Sequence, residues 1–366
     1  MSVEQGSANM NLYIKRTTPA SASQLIPSPS QLQHPTIASP QRRASNHNMF
    51  LRQVAAIGLL ALSATASVLT PRQNINPGRV TGDTFIHDPT VVKTPGRSYI
   101  AAYTGDNIQL KSSTDRTQWK NAGAVFPNGA SWTTAYTKGS KNLWAPDISY
   151  RNGQYYLYYS ASSFGSSRSA IFLATSSTGV TGSWTNRGLV IESFDNSGWN
   201  AIDPNLVVDA QGKWWLSFGS FWSGIKMIAL DPATGKRSGS QFISLAARPS
   251  AGGAVEAPYI TFRNGYYYLW VSFDRCCQGA SSTYRIMVGR SKSVTGPYVD
   301  KAGKQMMQGG GSQVMSSHGN VHGPGHNAVF ADSDGDVLVY HYYNDAGTAQ
   351  MGINLIRYEN GWPVIY

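Results

Sequence analysis

Three acidic residues stand where they could do chemistry. Asp88, Asp203 and Glu256 each sit near the head of a short apolar run: FIHDPTVV from Phe85, AIDPNLVV from Ala201 and VEAPYITF from Val255. A carboxylate at the start of what otherwise reads as a buried strand is costly unless something uses it. Cleaving a glycosidic bond by acid–base chemistry needs two carboxyl groups in unlike environments, one protonated to donate to the leaving oxygen and one ionised to activate water. A third would tune the acid by its charge and orient a sugar hydroxyl. Any single Asp-Pro is as readily a turn or a strand-start cap, so the weight falls on their repetition.

Two further stretches, LWAPDISY from Leu143 and GPGHNAVF from Gly323, repeat the same shape. From Pro89, Pro146, Pro204, Pro258 and Asn327 to the next turn glycine (Gly96, Gly153, Gly212, Gly265, Gly335) the steps are 7, 7, 8, 7 and 8 residues. A second aromatic strand follows each glycine, and the glycines lie 57, 59, 53 and 70 residues apart. That period fits propeller blades and is too long for helical or leucine-rich repeats. The spacing therefore predicts an all-β, five-bladed β-propeller. The first strand of each blade then lies beside the axis, which brings Asp88, Asp203, Glu256 and His326 to one hollow. Asp88, Asp203 and His326 fall directly before the aligned Pro or Asn, and Glu256 precedes its proline by two. Trp214, Trp215, Tyr155, Tyr156, Tyr266, Tyr267 and Tyr268 fall in second strands and are expected to pack between blades.

Residues 1–48 are rich in Ser, Pro, Gln, Asn and Thr without apolar periodicity and read as a disordered extension. Residues 49–66 then have the parts of a secretory leader: Met49, Arg52, an apolar core from Val54 to Leu62, and a small-residue cleavage site at Ala64 to Ala66. The expectation is that translation starts at Met49, that 1–48 is a gene-model artefact, and that a secreted chain begins near Ser67. The apolar run is too short to span a bilayer well. Residues 67–82 read as an irregular lead-in and 83–366 as the propeller. The net charge is +11, and without residues 1–66 it is 25 − 18 = +7. No basic run beyond Arg42-Arg43 suggests nucleic-acid binding.

The two cysteines, Cys276 and Cys277, are neighbours and cannot staple distant segments. Two cysteines make no zinc site without histidines at suitable spacing. Either a vicinal disulfide or two thiols is open, and the bridge is the expectation. Asp332, Asp334 and Asp336 in DSDGD resemble the start of a calcium loop, but position 343 is Tyr rather than the required Glu. A polar hairpin turn at Gly335 is expected instead.

Taken in order, HDPTVV, NLWAPDISY, AIDPNLV, GSFWSGIKM, VEAPYI, FDRCCQG and GPGHNAVF resemble the motif series of glycoside hydrolase family 43, and within it the fungal endo-1,5-α-L-arabinanases. The resemblance runs from about Asp83 to Tyr366. It implies an inverting enzyme acting on arabinan, with Asp88 as general base, Glu256 as general acid and Asp203 as pKa modulator. It also implies that His326 binds a calcium or other cation on the propeller axis, otherwise held by water; no organic cofactor is expected. Sugar rings pack their C–H faces on aromatic side chains while their hydroxyls need polar partners. Trp144, Phe221 and Trp222 are the candidates for the first role, and Asn205, Ser220 and His87 for the second. A secreted monomer, away from membranes once its leader is removed, is expected.

Two alternatives stay open. One is an exo-acting α-L-arabinofuranosidase or β-xylosidase of the same family. The other is a non-catalytic sugar-binding propeller, although unlike side chains at the five equivalent positions suit one asymmetric site better than five equal ones.

Overall fold

The computed structural model describes residues 75–366, so the extension, the leader and residues 67–74 of the lead-in lie outside the described residues. Five sheets, antiparallel but for one two-residue parallel pair in the first, follow one another along the chain, as the glycine spacing predicts. Their innermost strands are Thr90–Lys93, Asn142–Arg151, Asn205–Val208, Val255–Arg263 and His322–Asp332. Each turns into its second strand, Tyr99–Tyr103, Gln154–Ala161, Trp214–Phe218, Tyr266–Phe273 and Gly335–Tyr343.

Residues along a strand alternate between its two faces, and a blade has a neighbour on each. Adjacent aromatics of one second strand therefore go to different interfaces. Tyr155 packs between blades 1 and 2, while Tyr156 packs between blades 2 and 3. Trp214 and Trp215 divide between the 2–3 and 3–4 interfaces, and Tyr267 and Tyr268 between 3–4 and 4–5. A fifth cluster, with Ile86, Val91, Trp119, Val337, Val339 and Met351, joins blade 5 to blade 1 and closes the ring. The core is thus five inter-blade layers.

Chain closure adds hydrogen bonds to that last layer. Thr81–Gly82 pairs in parallel with Gln118–Trp119 on the outer edge of blade 1. The same segment bonds to blade 5 through Gly78 N to Ile353 O (2.8 Å) and Met351 N to Thr84 O (2.8 Å). The end of the lead-in, without regular structure from residue 75 to residue 80, therefore also serves as a strap between first and last blades. Gly82 is required there: its φ is +82°, and a Cβ would lie 2.2 Å from Trp119 O.

The DSDGD segment forms the expected hairpin, and its aspartates pair with cationic side chains of blades 1 and 4. Asp332 pairs with Lys93 and Arg116, Asp334 with Arg116, and Asp336 with Arg263.

Candidate active site

Every innermost strand carries a left-handed residue at its head: Asp88 (φ 49°), Ala145 (45°), Asp203 (59°), Ala257 (55°) and His326 (47°). These are the five residues aligned by the repeat, each directly before Pro or Asn. In blades 2, 4 and 5 the ladder register shifts across this point, so the residue sits in a β-bulge. Non-glycine residues pay about 1–2 kcal/mol for this conformation, and the surroundings must hold it.

They do so through the exposed N–H. Ala145 N donates to Thr104 Oγ1 (2.8 Å), Asp203 N to Ser160 Oγ (3.0 Å), His326 N to Ser272 Oγ (2.8 Å) and Asp88 N to His341 Nδ1 (3.1 Å). In each case the acceptor lies on the second strand of the preceding blade or, for Thr104, directly after it. Ala257 N is the exception: it donates to Asp203 Oδ2 (3.1 Å), and the equivalent position of blade 3 is Gly219, which has no side chain to accept. Asp203 is thereby oriented by the strand that carries Glu256.

A second polar ring lies two residues further along. Ile148 N donates to Thr90 Oγ1 (3.3 Å), Leu206 N to Asp147 Oδ2 (2.7 Å) and Ile260 N to Asn205 Oδ1 (2.8 Å). Asn205 is 2% exposed and engaged in this ring, which corrects its expected role as a sugar contact. Burial pushes the Asp147 carboxyl up to about 6.

Asp88 is the most heavily supported carboxylate. Thr104 Oγ1 donates to its Oδ2 (2.6 Å), His87 Nδ1 lies 2.9 Å from the same oxygen, and His326 Nδ1 lies 3.1 Å from Oδ1. Burial alone would raise its pKa, but the two imidazoles hold it well below the carboxylate range. Burial likewise disfavours charge on the imidazoles, yet Asp88 pushes His87 up to about 10 and His326 up to about 9. His341 differs. Its Nδ1 accepts the Asp88 N–H, and burial together with His87 holds it neutral.

Glu256 lies in the opposite kind of setting. Burial raises its pKa, against hydrogen bonds from Ser220 Oγ to Oε2 (2.6 Å) and from the Tyr284 hydroxyl to Oε1. Burial also pushes Asp203 up to about 8, with the charges of Glu256 and Asp88 adding to it and His326 opposing. The hollow thus holds one carboxylate kept ionised and a pair inclined to keep a proton.

Ser220 faces the acid rather than a sugar. Phe221 and Trp222 follow it directly, with φ of 52° and 42°, and Trp222 is 43% exposed. Trp144 is half-buried beside Ala145, whose N–H shares the Thr104 hydroxyl with Asp88. Tyr284, His341 and Thr104 escaped sequence reasoning. Thr104 and His341 align with Ser160 and Ser272 at the ends of the second strands, a signal open to repeat alignment; Tyr284 has none. Its seat is made by Gly325, where a Cβ would lie 2.1 Å from the tyrosine Cδ1.

For a cation, His326 offers Nε2, since Nδ1 faces Asp88. Among the described residues, no group of three clustered His, Cys, Asp or Glu ligand atoms includes His326. This donor set fits only an ion that keeps most of its water, as calcium's preference for oxygen requires. The cysteines are two free thiols, correcting the expected bridge: Cys276 Sγ turns to His87, His341 and Tyr343, and Cys277 Sγ to His87.

A sequence profile described as Glycosyl hydrolases family 43 matches residues 78–363. The extracellular endo-α-(1→5)-L-arabinanase 1 of Bacillus subtilis is 48% identical over 286 residues, covering 76% of this chain and 87% of its own. The extracellular exo-α-(1→5)-L-arabinofuranosidase ArbA of Cellvibrio japonicus is 37% identical over 299 residues, covering 76% and 86%. The solved structure of a family 43 endo-arabinanase from Bacillus licheniformis superposes with a TM-score of 0.74 at 49% identity, covering 78% of this chain and 99% of that one.

Proposed function

The chain belongs to glycosyl hydrolase family 43, and from that premise we propose that it is a secreted endo-1,5-α-L-arabinanase, cutting internal (1→5)-α-L-arabinofuranosidic bonds of arabinan with inversion. The observation that carries the reading is the contrast in one hollow between Asp88, held ionised, and Glu256, held toward protonation. Asp88 takes a proton from water as its oxygen attacks the anomeric carbon. Glu256 gives its proton to the glycosidic oxygen as the carbon–oxygen bond breaks. Asp203, fixed by the Ala257 N–H, and Glu256 oppose each other's ionisation, so the pair keeps that proton until it is transferred. Ser220 and Tyr284 then stabilise the Glu256 carboxylate left behind. Trp144, Phe221 and Trp222 offer faces for arabinose rings. If a hydrated cation occupies the axis, His326 holds it and it contributes positive charge beneath the sugar.

Endo action is favoured over exo by greater identity to the endo-acting relative than to the exo-acting one. The test is product analysis on linear, debranched 1,5-arabinan, with Glu256→Gln as control. A ladder of short oligomers from the parent, at least about 10²-fold slower from the variant, with inverted anomeric configuration by NMR, is expected. Monomer alone would replace this reading with exo action, and binding without any product would replace it with a lectin.

A further inference from the structure

His87, whose Nδ1 faces the carboxylate of Asp88, meets Cys276 and Cys277 through its other ring nitrogen. Cys276 Sγ lies 3.6 Å and Cys277 Sγ 3.8 Å from His87 Nε2. All three ligand atoms fall within 4.8 Å of one another. Around a tetrahedral zinc-type ion, metal–sulfur bonds of about 2.3 Å and metal–nitrogen bonds of about 2.0–2.1 Å put nitrogen and sulfur about 3.6 Å apart. The chain already holds them near that spacing, although His87 is 189 residues from Cys276.

A second observation is independent of the sulfurs. His87 Nδ1 is fixed 2.9 Å from Asp88 Oδ2, which aims Nε2 toward the cysteines. A carboxylate on the far nitrogen is how proteins orient and strengthen a ligating imidazole. His341, stacked on His87 at 4.2 Å, restricts the ring from its face. Cys277 is exposed, so an ion has a route in. The Tyr343 hydroxyl, 2.8 Å from His87 Nε2 and 3.6 Å from Cys276 Sγ, borders the same site.

We propose that His87, Cys276 and Cys277 form a binding site for a thiophilic divalent metal ion of the zinc and cadmium class, separate from any cation at His326. Binding releases the protons on the two sulfurs and on Nε2 and changes no oxidation state, so affinity rises with pH. The ion would grip His87 on the side opposite Asp88, leaving the Nδ1 contact in place.

The test is titration of the full protein with Cd2+, kept reduced by a phosphine and with excess Ca2+ present, following thiolate-to-cadmium absorption in the ultraviolet. One equivalent should saturate the parent and His326→Ala alike. Cys277→Ser, at an exposed position, should keep the fold by circular dichroism and lose at least about tenfold in affinity, and a Cys276→Ser/Cys277→Ser double variant should show no band. His87→Gln should also weaken binding at least about tenfold. Absence of a saturable band in folded parent protein, or a band that survives in the double variant, overturns the proposal.

Discussion

At the scale of the residue, the site works by giving like groups unlike partners. Asp88 and Glu256 are both buried carboxyls, but the first faces two imidazoles and the second two neutral hydroxyls. A hydroxyl that donates to a carboxylate stabilises the charged form and lowers its pKa. Tyr284→Phe removes one such donor, so the Glu256 pKa should rise and the acid should stay protonated to higher pH. The alkaline limb of kcat/KM should therefore move upward, while kcat falls about tenfold as the carboxyl loses its positioning contact. An alkaline limb that does not move would assign Tyr284 a packing role only.

At the scale of the element, each inner strand is held in a strained left-handed turn by the blade before it. His341 performs for Asp88 the task that serine or threonine hydroxyls perform at three of the other four positions. The hairpin of blade 5 shows how the ring is locked at its seam. Asp332, nearly fully buried, accepts from Lys93, the Tyr99 hydroxyl (2.7 Å) and Arg116 (2.8 Å), all in blade 1. Burial would raise its pKa, but these partners hold it well below the usual range. A depressed folded-state pKa stabilises above the unfolded value, about 3.9, and is lost as pH falls toward the folded one. Asp332→Asn should therefore cost about 1.5–3 kcal/mol in denaturant unfolding at pH 7, with the difference from the parent shrinking below about pH 4. An equal cost at pH 3 and pH 7 would mean that shape, not charge, makes the seam.

At the scale of the whole molecule, the strap at residues 78–84 bonds to both terminal blades, so the folded body begins a short distance beyond the leader-like segment at 49–66. Secretion is the expectation from that segment, and the Bacillus subtilis relative is named extracellular. Expressed with its own N-terminus in a secreting host, the protein should reach the medium, and N-terminal sequencing of the secreted form should begin near Ser67. A retained protein with residues 49–66 intact would make the segment an anchor.

The five blades, their order and the three acids were all legible in the sequence, because a repeat constrains the distance along the chain from each axial residue to its turn glycine. The same alignment placed Ala145 and Ala257 beside Asp88, Asp203 and His326, and the structure finds all five in one backbone conformation. What a repeat does not encode is which side chain of one blade meets which of the next. Asn205 looked like a sugar contact and serves an inter-blade hydrogen bond; Tyr284 carried no signal and holds Glu256. The adjacent cysteines were set aside for want of a histidine at metal-binding spacing, yet the ring brings His87 to them. Local pattern determined the fold and its chemical groups, since strand periodicity and turn residues act over a few positions. Partnership was decided only by closure of the ring, which sets side chains from chain positions up to 266 residues apart at hydrogen-bond distance.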